Sequence, residues 1–131
     1  MVQNYKDLEV WKKSVALTTQ IYAVTARFPV SERFGLTSQI RRASTSIAAN
    51  IAEGWGRGSR GEYIQFLAIA RGSLMELETH FPIARKLSYI TEAQLEPISR
   101  STAELGHMLA GVMSELKGRC DSRTPATIPE T

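Results

Sequence analysis

Three features of this 131-residue sequence predict an all-α fold, an antiparallel up-down-up-down four-helix bundle. Apolar residues recur at alternating steps of three and four through four long segments, which lines one face of a helix. Proline, glycine and capping residues punctuate the intervals between those segments. No segment alternates apolar and polar residues as a half-buried strand does. Short connections between long helices then make sequential neighbours antiparallel.

The first helix is expected over about residues 7–28. Leu8, Trp11, Val15, Thr18, Tyr22 and Thr25 form its core stripe. Pro29 closes it, because a proline drives the preceding residue out of helical backbone. After a short connection, Val30 to Arg33, the second helix spans about 34–53 on Leu36, Ile40, Ala43, Ile47 and Asn50. Its middle is rich in small residues, from Ala43 to Ala52, which let another helix come close. Gly54-Trp55-Gly56-Arg57-Gly58 reads as the helix end and a tight turn, since glycine accepts positive φ.

Ser59 followed by Glu62 has the form of a capping box and opens the third helix, about 59–89. Its stripe is Tyr63, Leu67, Ala70, Leu74, Leu77, Phe81 and Ala84. Pro82 lies inside it and predicts a kink near His80 with the helix continuing. Thr91 and Gln94 make a second capping box for the fourth helix, about 92–117, on Leu95, Ile98, Thr102, Leu105, Leu109, Val112 and Leu116. Pro97 falls in its first turns, where a missing N–H costs little. Residues 1–118 therefore form one bundle domain, and residues 119–131, polar and with two prolines, a disordered tail.

Composition sets the broad class. The chain is 43% hydrophobic and 22% charged, ordinary for a soluble globular domain. Glycine and proline together supply 14 residues, too few for a collagen-like or disordered protein. No apolar run approaches the ~18–20 residues of a spanning helix, and MVQNYKDLEV has no basic and then apolar leader. A lone cysteine, Cys120, closes no intrachain disulfide. A cytoplasmic protein without membrane contact is expected.

Little points to catalysis. His80 and His107 lie on different helices with no metal-spaced neighbours, and are expected to be exposed or hydrogen-bonded. Glu76 and Glu78, two apart, face different sides of a helix, and no Glu-x-x-His pair of a di-iron bundle occurs. The glycine-rich segment follows a helix rather than a strand and lacks the Lys-Ser/Thr of a phosphate loop. Cys120 has no base beside it. No catalytic residue, metal, cofactor or small-molecule substrate is expected.

Charge layout says more than the total of +3. Residues 31–58 carry Arg33, Arg41, Arg42 and Arg57 against Glu32 and Glu53. Residues 92–117 carry Arg100 and Lys117 against four glutamates. Lys12, Lys13, Arg41, Arg42, Arg57 and Arg60 are the candidates for a basic, phosphate-binding surface. The competing reading is a solvated face, or arginines paired with Glu53 or with the acidic fourth helix. The first helix carries a second apolar stripe, Val10, Leu17, Ile21, Val24 and Phe28, and the third a surplus in Ile64, Phe66, Ala68, Ile69 and Met75. A broad core face is one explanation. A subunit interface through Val10, Leu17, Ile21, Val24, Phe66 and Ile69 is the other.

Three blocks together carry a resemblance: Asp7-Leu8-Glu9-Val10-Trp11, the run Phe34-Gly35-Leu36-Thr37-Ser38-Gln39-Ile40-Arg41-Arg42-Ala43 leading to Asn50-Ile51-Ala52-Glu53-Gly54-Trp55-Gly56-Arg57, and Phe66 to Glu78. Over about residues 5–117 the chain resembles the bacterial four-helix-bundle proteins encoded in intervening sequences of 23S ribosomal RNA genes. The resemblance implies an antiparallel bundle assembled as a ring-shaped pentamer, with no enzymatic activity. It also implies kinship with the accessory protein of diversity-generating retroelements, a basic pentamer that partners a reverse transcriptase and nucleic acid. Arg41, Arg42 and Arg57 fall inside the family blocks and are the positions it implies for a shared surface role; Asn50 and Glu53 also match. Pro82 departs from the pattern. The expected function is therefore a non-enzymatic homo-oligomer, a pentamer, that binds RNA, DNA or a nucleoprotein partner through basic residues. A protein–protein adaptor without a nucleic-acid role is the alternative.

Overall fold

The structure is a computed structural model and describes residues 2–123, with side chains through residue 118. A 3-10 turn, Tyr5–Asp7, precedes α1, Glu9–Thr25. A second 3-10 turn, Val30–Glu32, leads to α2, Leu36–Gly56; α3, Arg60–Lys86, and α4, Glu92–Arg123, follow. Each helix packs on its sequence neighbours and α1 packs on α4, so the four stand at the corners of a square, with α2 against α3 the most extensive seam. This is the up-down-up-down bundle that short connections dictate.

The ends are fixed by specific bonds. The Asn4 side chain accepts from the Lys6 N–H, and the Asp7 carboxylate accepts from the backbone N–H groups of Gln3 and Asn4 at 2.9 and 3.2 Å. Gly35 has no side chain to cap α2, and Glu32 replaces it: its carboxylate accepts from the Leu36 N–H at 2.9 Å and from the Tyr89 hydroxyl at 2.8 Å. That second bond ties the α1–α2 connection to the α3–α4 connection, where the Phe28 and Tyr89 rings also meet. The Thr91–Gln94 box forms reciprocally. The Ser59–Glu62 box forms by half: Ser59 caps the Glu62 N–H, but its hydroxyl, not its N–H, meets the Glu62 carboxylate.

Several expected boundaries move. Helix α1 stops at Thr25, three residues short of 28, in a turn closed by Phe28 N–H to Thr25 carbonyl. Helix α2 runs through Gly54 and Trp55 to Gly56; within the glycine-rich segment only Gly58 takes positive φ, +87°. Gly54 has another purpose. A Cβ there would lie 2.6 Å from the Phe66 Cβ, so glycine is what lets α2 and α3 close together. Helix α3 continues past Pro82, whose side is exposed, but ends at Lys86, not 89. Its end is a Schellman motif: Tyr89 N–H bonds to Ala84 carbonyl and Ser88 N–H to Arg85 carbonyl, with Ser88 left-handed at φ 66°. Helix α4 extends to Arg123, so residues 119–123, Cys120 among them, belong to a helix and not to the expected tail. The rest of that tail, 124–131, lies outside the described residues.

The core confirms the stripes of α3 and α4: Leu67, Ala70, Leu74, Leu77, Phe81 and Ala84 are buried, as are Leu95, Ile98, Thr102, Leu105 and Leu109. In α1 the two stripes exchange roles. Val10, Leu17, Ile21 and Phe28 point into the bundle with Ser14 and Thr25, and Val24 packs at the margin. Val10, Leu17 and Ile21, at most 4% exposed, are therefore core residues and not a subunit interface. Of the stripe expected in the core Thr25 is buried, while Leu8, Trp11 and Thr18 are half-buried at its edge and Val15 and Tyr22 are exposed.

Candidate functional site

The six basic candidates do not make one surface. Lys12 pairs with Glu9 at 3.5 Å along α1. Lys13 reaches across to Glu104 on α4, which holds that carboxyl below the usual range by a hydrogen bond and by its charge. Arg41 lies between α2 and α1: its Nε donates to Thr25 Oγ1 at 2.9 Å, its Nη2 to the Tyr22 carbonyl at 3.2 Å, and its guanidinium covers the Tyr22 ring at 4.4 Å. Arg57 pairs with Glu53 at 3.0 Å and Glu62 at 3.9 Å and lies over the Phe66 ring. Arg60 opens α3 and is engaged as well. Arg42 alone of the six is exposed with no ion pair among the described residues. It borders a cleft between α2 and α3 lined by Gln39, Ser46, Ser73 and Glu76. Inside that cleft Ser73 donates to Ser46, and Asn50 bonds to Ser46 as well.

Spacing separates these groups further. Arg42 and Arg57 lie fifteen residues apart, about 22 Å along the α2 axis at ~1.5 Å per residue. Lys13 lies beside α4, Lys12 pairs along α1, Arg41 bridges to α1, and Arg57 with Arg60 lies at the α2–α3 turn. Pairing with nearby glutamates, the competing reading of the sequence, describes Lys12, Lys13 and Arg57. Arg41 is held by neutral oxygens and a ring instead.

The α1–α2 turn holds a grouping that sequence reasoning overlooked. Arg33, Arg41 and Thr37 border one pocket there with Phe28, Pro29 and Val30. Thr37 and Arg41 are four apart in α2, and Arg33 precedes Thr37 by four, so helical spacing already sets the three on one side; the fold of α2 back on α1 adds the Phe28–Val30 wall. Val30 and Phe34, 81% and 87% exposed, project from the same turn.

The surface of α1 is unusual for a solvent face. Thirteen consecutive residues, 14–26, carry no charge. Six of them, Val15, Ala16, Thr19, Tyr22, Ala23 and Ala26, are exposed. Helix α3 exposes Ile69, Met75 and Ile83. Of the six interface candidates, Ile69 is 51% exposed and Phe66 half-buried. By contrast the exposed side of α4 carries Glu92, Glu96, Arg100, Glu104, Glu115 and Lys117.

A cavity of about 650 Å³ opens at the end where α1 begins, between Leu8, Val10, Trp55, Tyr63, Met108 and Leu116. It is apolar, and burial pushes the Tyr63 hydroxyl pKa up. Glu9 and Glu115 at its border do not converge with a nucleophile or base. Among the described residues no His/Cys/Asp/Glu group could hold a metal ion, and no helix is long and apolar enough to cross a membrane. His107 is exposed. His80 corrects the expectation for histidines: its Nδ1 is buried without a hydrogen-bond partner.

Comparison with known proteins gives the family. The model of the 23S rRNA-intervening sequence protein matches residues 6–111. A solved structure from Bacteroides thetaiotaomicron, described as a protein with unknown function from the S23 ribosomal protein family, superposes with a TM-score of 0.74 at 29% identity. The match covers 80% of this chain and 95% of that one. No curated protein matches the chain. The chain belongs to the 23S rRNA-intervening sequence protein family, whose function is unknown and for which no catalytic activity is indicated.

Proposed function

We propose that this member of the 23S rRNA-intervening sequence protein family is a non-enzymatic, self-associating scaffold. In this reading copies pack through the outer faces of α1 and α3 into a closed homo-oligomer, a pentamer in the form expected from the family resemblance, and the assembly engages nucleic acid or a nucleoprotein. The observation that carries the reading is the uncharged stretch 14–26, which leaves the outer side of α1 without a charge over more than three turns. Charged residues are depleted in the cores of protein interfaces, whereas a solvated helix face normally carries them. Exposed Ile69 and Met75 on α3 offer the apolar area that such a contact needs. Closed symmetry is the ordinary outcome for such copies.

The nucleic-acid half rests on Arg42 and on the exposed basic side chains Arg27 and Arg33 near the α1–α2 turn, which form no ion pair among the described residues. A ring would repeat that group in every copy and sum its field. Binding to RNA and DNA measured against salt tests this half. The reading expects micromolar affinity that falls steeply as salt rises. It also expects a further loss in Arg42→Ala. Absence of binding at low salt removes it.

A second reading, a protein–protein adaptor, has its own support: most of the candidate cations already have partners within the chain. Recovery of partners after nuclease treatment separates the two. Partners that survive favour the adaptor; partners that are lost favour nucleic acid.

A further inference from the structure

We infer that the pocket at the α1–α2 turn is a binding site for a terminal phosphate group, either inorganic phosphate or a phosphate monoester. Thr37 lies in the first turn of α2 and is 9% exposed. Its hydroxyl is buried and has no hydrogen-bond partner. Buried hydroxyls are nearly always bonded, so an orphan of this kind marks the place of a missing partner. Thr37 lines a pocket of about 180 Å³ together with Arg33 and Arg41.

Both guanidiniums lack a carboxylate. Arg33 has an aromatic contact, with its guanidinium over the Phe34 ring at 5.1 Å, and no ion pair among the described residues. Arg41 commits Nε and Nη2 to Thr25 and Tyr22, which fixes its plane and leaves Nη1 outside those bonds. A preoriented guanidinium fork is suited to phosphate oxygens. The nearest acidic residue in sequence, Glu32, is turned to other work: the Leu36 N–H, then the Tyr89 hydroxyl, hold its carboxyl below the usual range. No carboxylate borders the pocket. Two cations and one hydroxyl donor in a space of this size match a tetrahedral dianion. The apolar wall of Phe28, Pro29 and Val30 offers no donors to a sugar or base. A phosphodiester, flanked by chain on both sides, fits the small space less well than a terminal phosphate does. The site stands whether or not the scaffold reading holds.

Titration of the full chain with inorganic phosphate, against chloride at matched ionic strength, tests the assignment by calorimetry and by the shift of the Thr37 amide resonance. A nucleoside 5′-monophosphate and an oligonucleotide without terminal phosphates are the other two probes. The expected result is saturable binding of the first two, weakened about 10- to 100-fold in Thr37→Val and in Arg33→Gln, as loss of a charge-assisted hydrogen bond predicts. Thr37→Ser, which keeps the hydroxyl, should bind like the native chain. Thr37→Val should fold at least as stably as the native chain without phosphate, because it removes an unpaired buried group. Absence of a phosphate-specific effect overturns the proposal, as does binding that Thr37→Val leaves intact. Binding of the oligonucleotide alone, without phosphate or monophosphate, also overturns it.

Discussion

Substitution of Gly54 by alanine should destabilise the protein, although alanine is the better helix former. Gly54 is helical and buried at the α2–α3 seam. An added Cβ would sit 2.6 Å from the Phe66 Cβ and 3.2 Å from the Tyr63 Cδ1. The first of these neighbours is attached to the α3 backbone and cannot swing away, so the helices themselves must separate. Overpacking of this kind costs about 1–3 kcal/mol, and the helical gain of alanine over glycine returns about 0.5–1 kcal/mol. The mid-points of those two ranges leave a net loss of about 1 kcal/mol. Gly111 is the matched control. It is helical, exposed, and an added Cβ there meets nothing within 4 Å. Gly111→Ala should therefore gain about 0.4–1 kcal/mol. Urea unfolding followed by circular dichroism measures both, with the slope unchanged if only stability has moved. A Gly54→Ala protein as stable as the native one would refute the close approach of α2 and α3.

Other outcomes follow from the same geometry. Ser88→Gly should stabilise by about 0.5–1 kcal/mol, because Ser88 holds φ 66° at the end of α3, where glycine carries no Cβ penalty; thermal unfolding reads it. Arg41→Ala should lose about 1–2 kcal/mol, having bridged α1 and α2, whereas Arg42→Ala should stay within about 0.5 kcal/mol; parallel urea titrations compare them. The Glu32 carboxyl is held below its ordinary value by the Leu36 N–H and the Tyr89 hydroxyl. Its contribution is therefore full above the unfolded glutamate pKa of about 4.3 and is lost as pH falls through the lower folded value. Stability of Glu32→Gln and native chain should thus differ at pH 6 and converge in acid.

The sequence was most legible where burial and polarity agreed. In α3 and α4 most of the predicted stripe is buried, because its positions are apolar apart from Thr102, and Tyr63, Val112 and Leu116 are only partly buried. In α1 polar residues occupy core positions. Ser14 and Thr25 hide there by donating to the carbonyls four residues back, Val10 at 2.6 Å and Ile21 at 2.8 Å. That self-satisfaction lets a hydroxyl face the core without a partner on another helix. It also broke the apolar pattern, so the neighbouring stripe looked the more regular. Gly54 misled for a related reason: glycine marks both chain reversal and close approach, and only the position of Phe66 decides between them. The functional residues were harder still. Arg41 was visible as a cation, but its partners Thr25 and Tyr22 lie sixteen and nineteen residues away. The orphaned Thr37 hydroxyl is a property of packing and has no sequence signature.

The mass of the protein in solution, native and with Ala16→Glu/Ala23→Glu, tests the scaffold account most directly. Both alanines are exposed, seven residues apart on the uncharged side of α1, so the charges burden a subunit contact and not the bundle. Light scattering at micromolar concentration should give a multiple of 14.5 kDa for the native chain, five copies in the expected ring, and a folded species of 14.5 kDa for the variant. A native chain that is itself monomeric, or a variant that assembles unchanged, would contradict it.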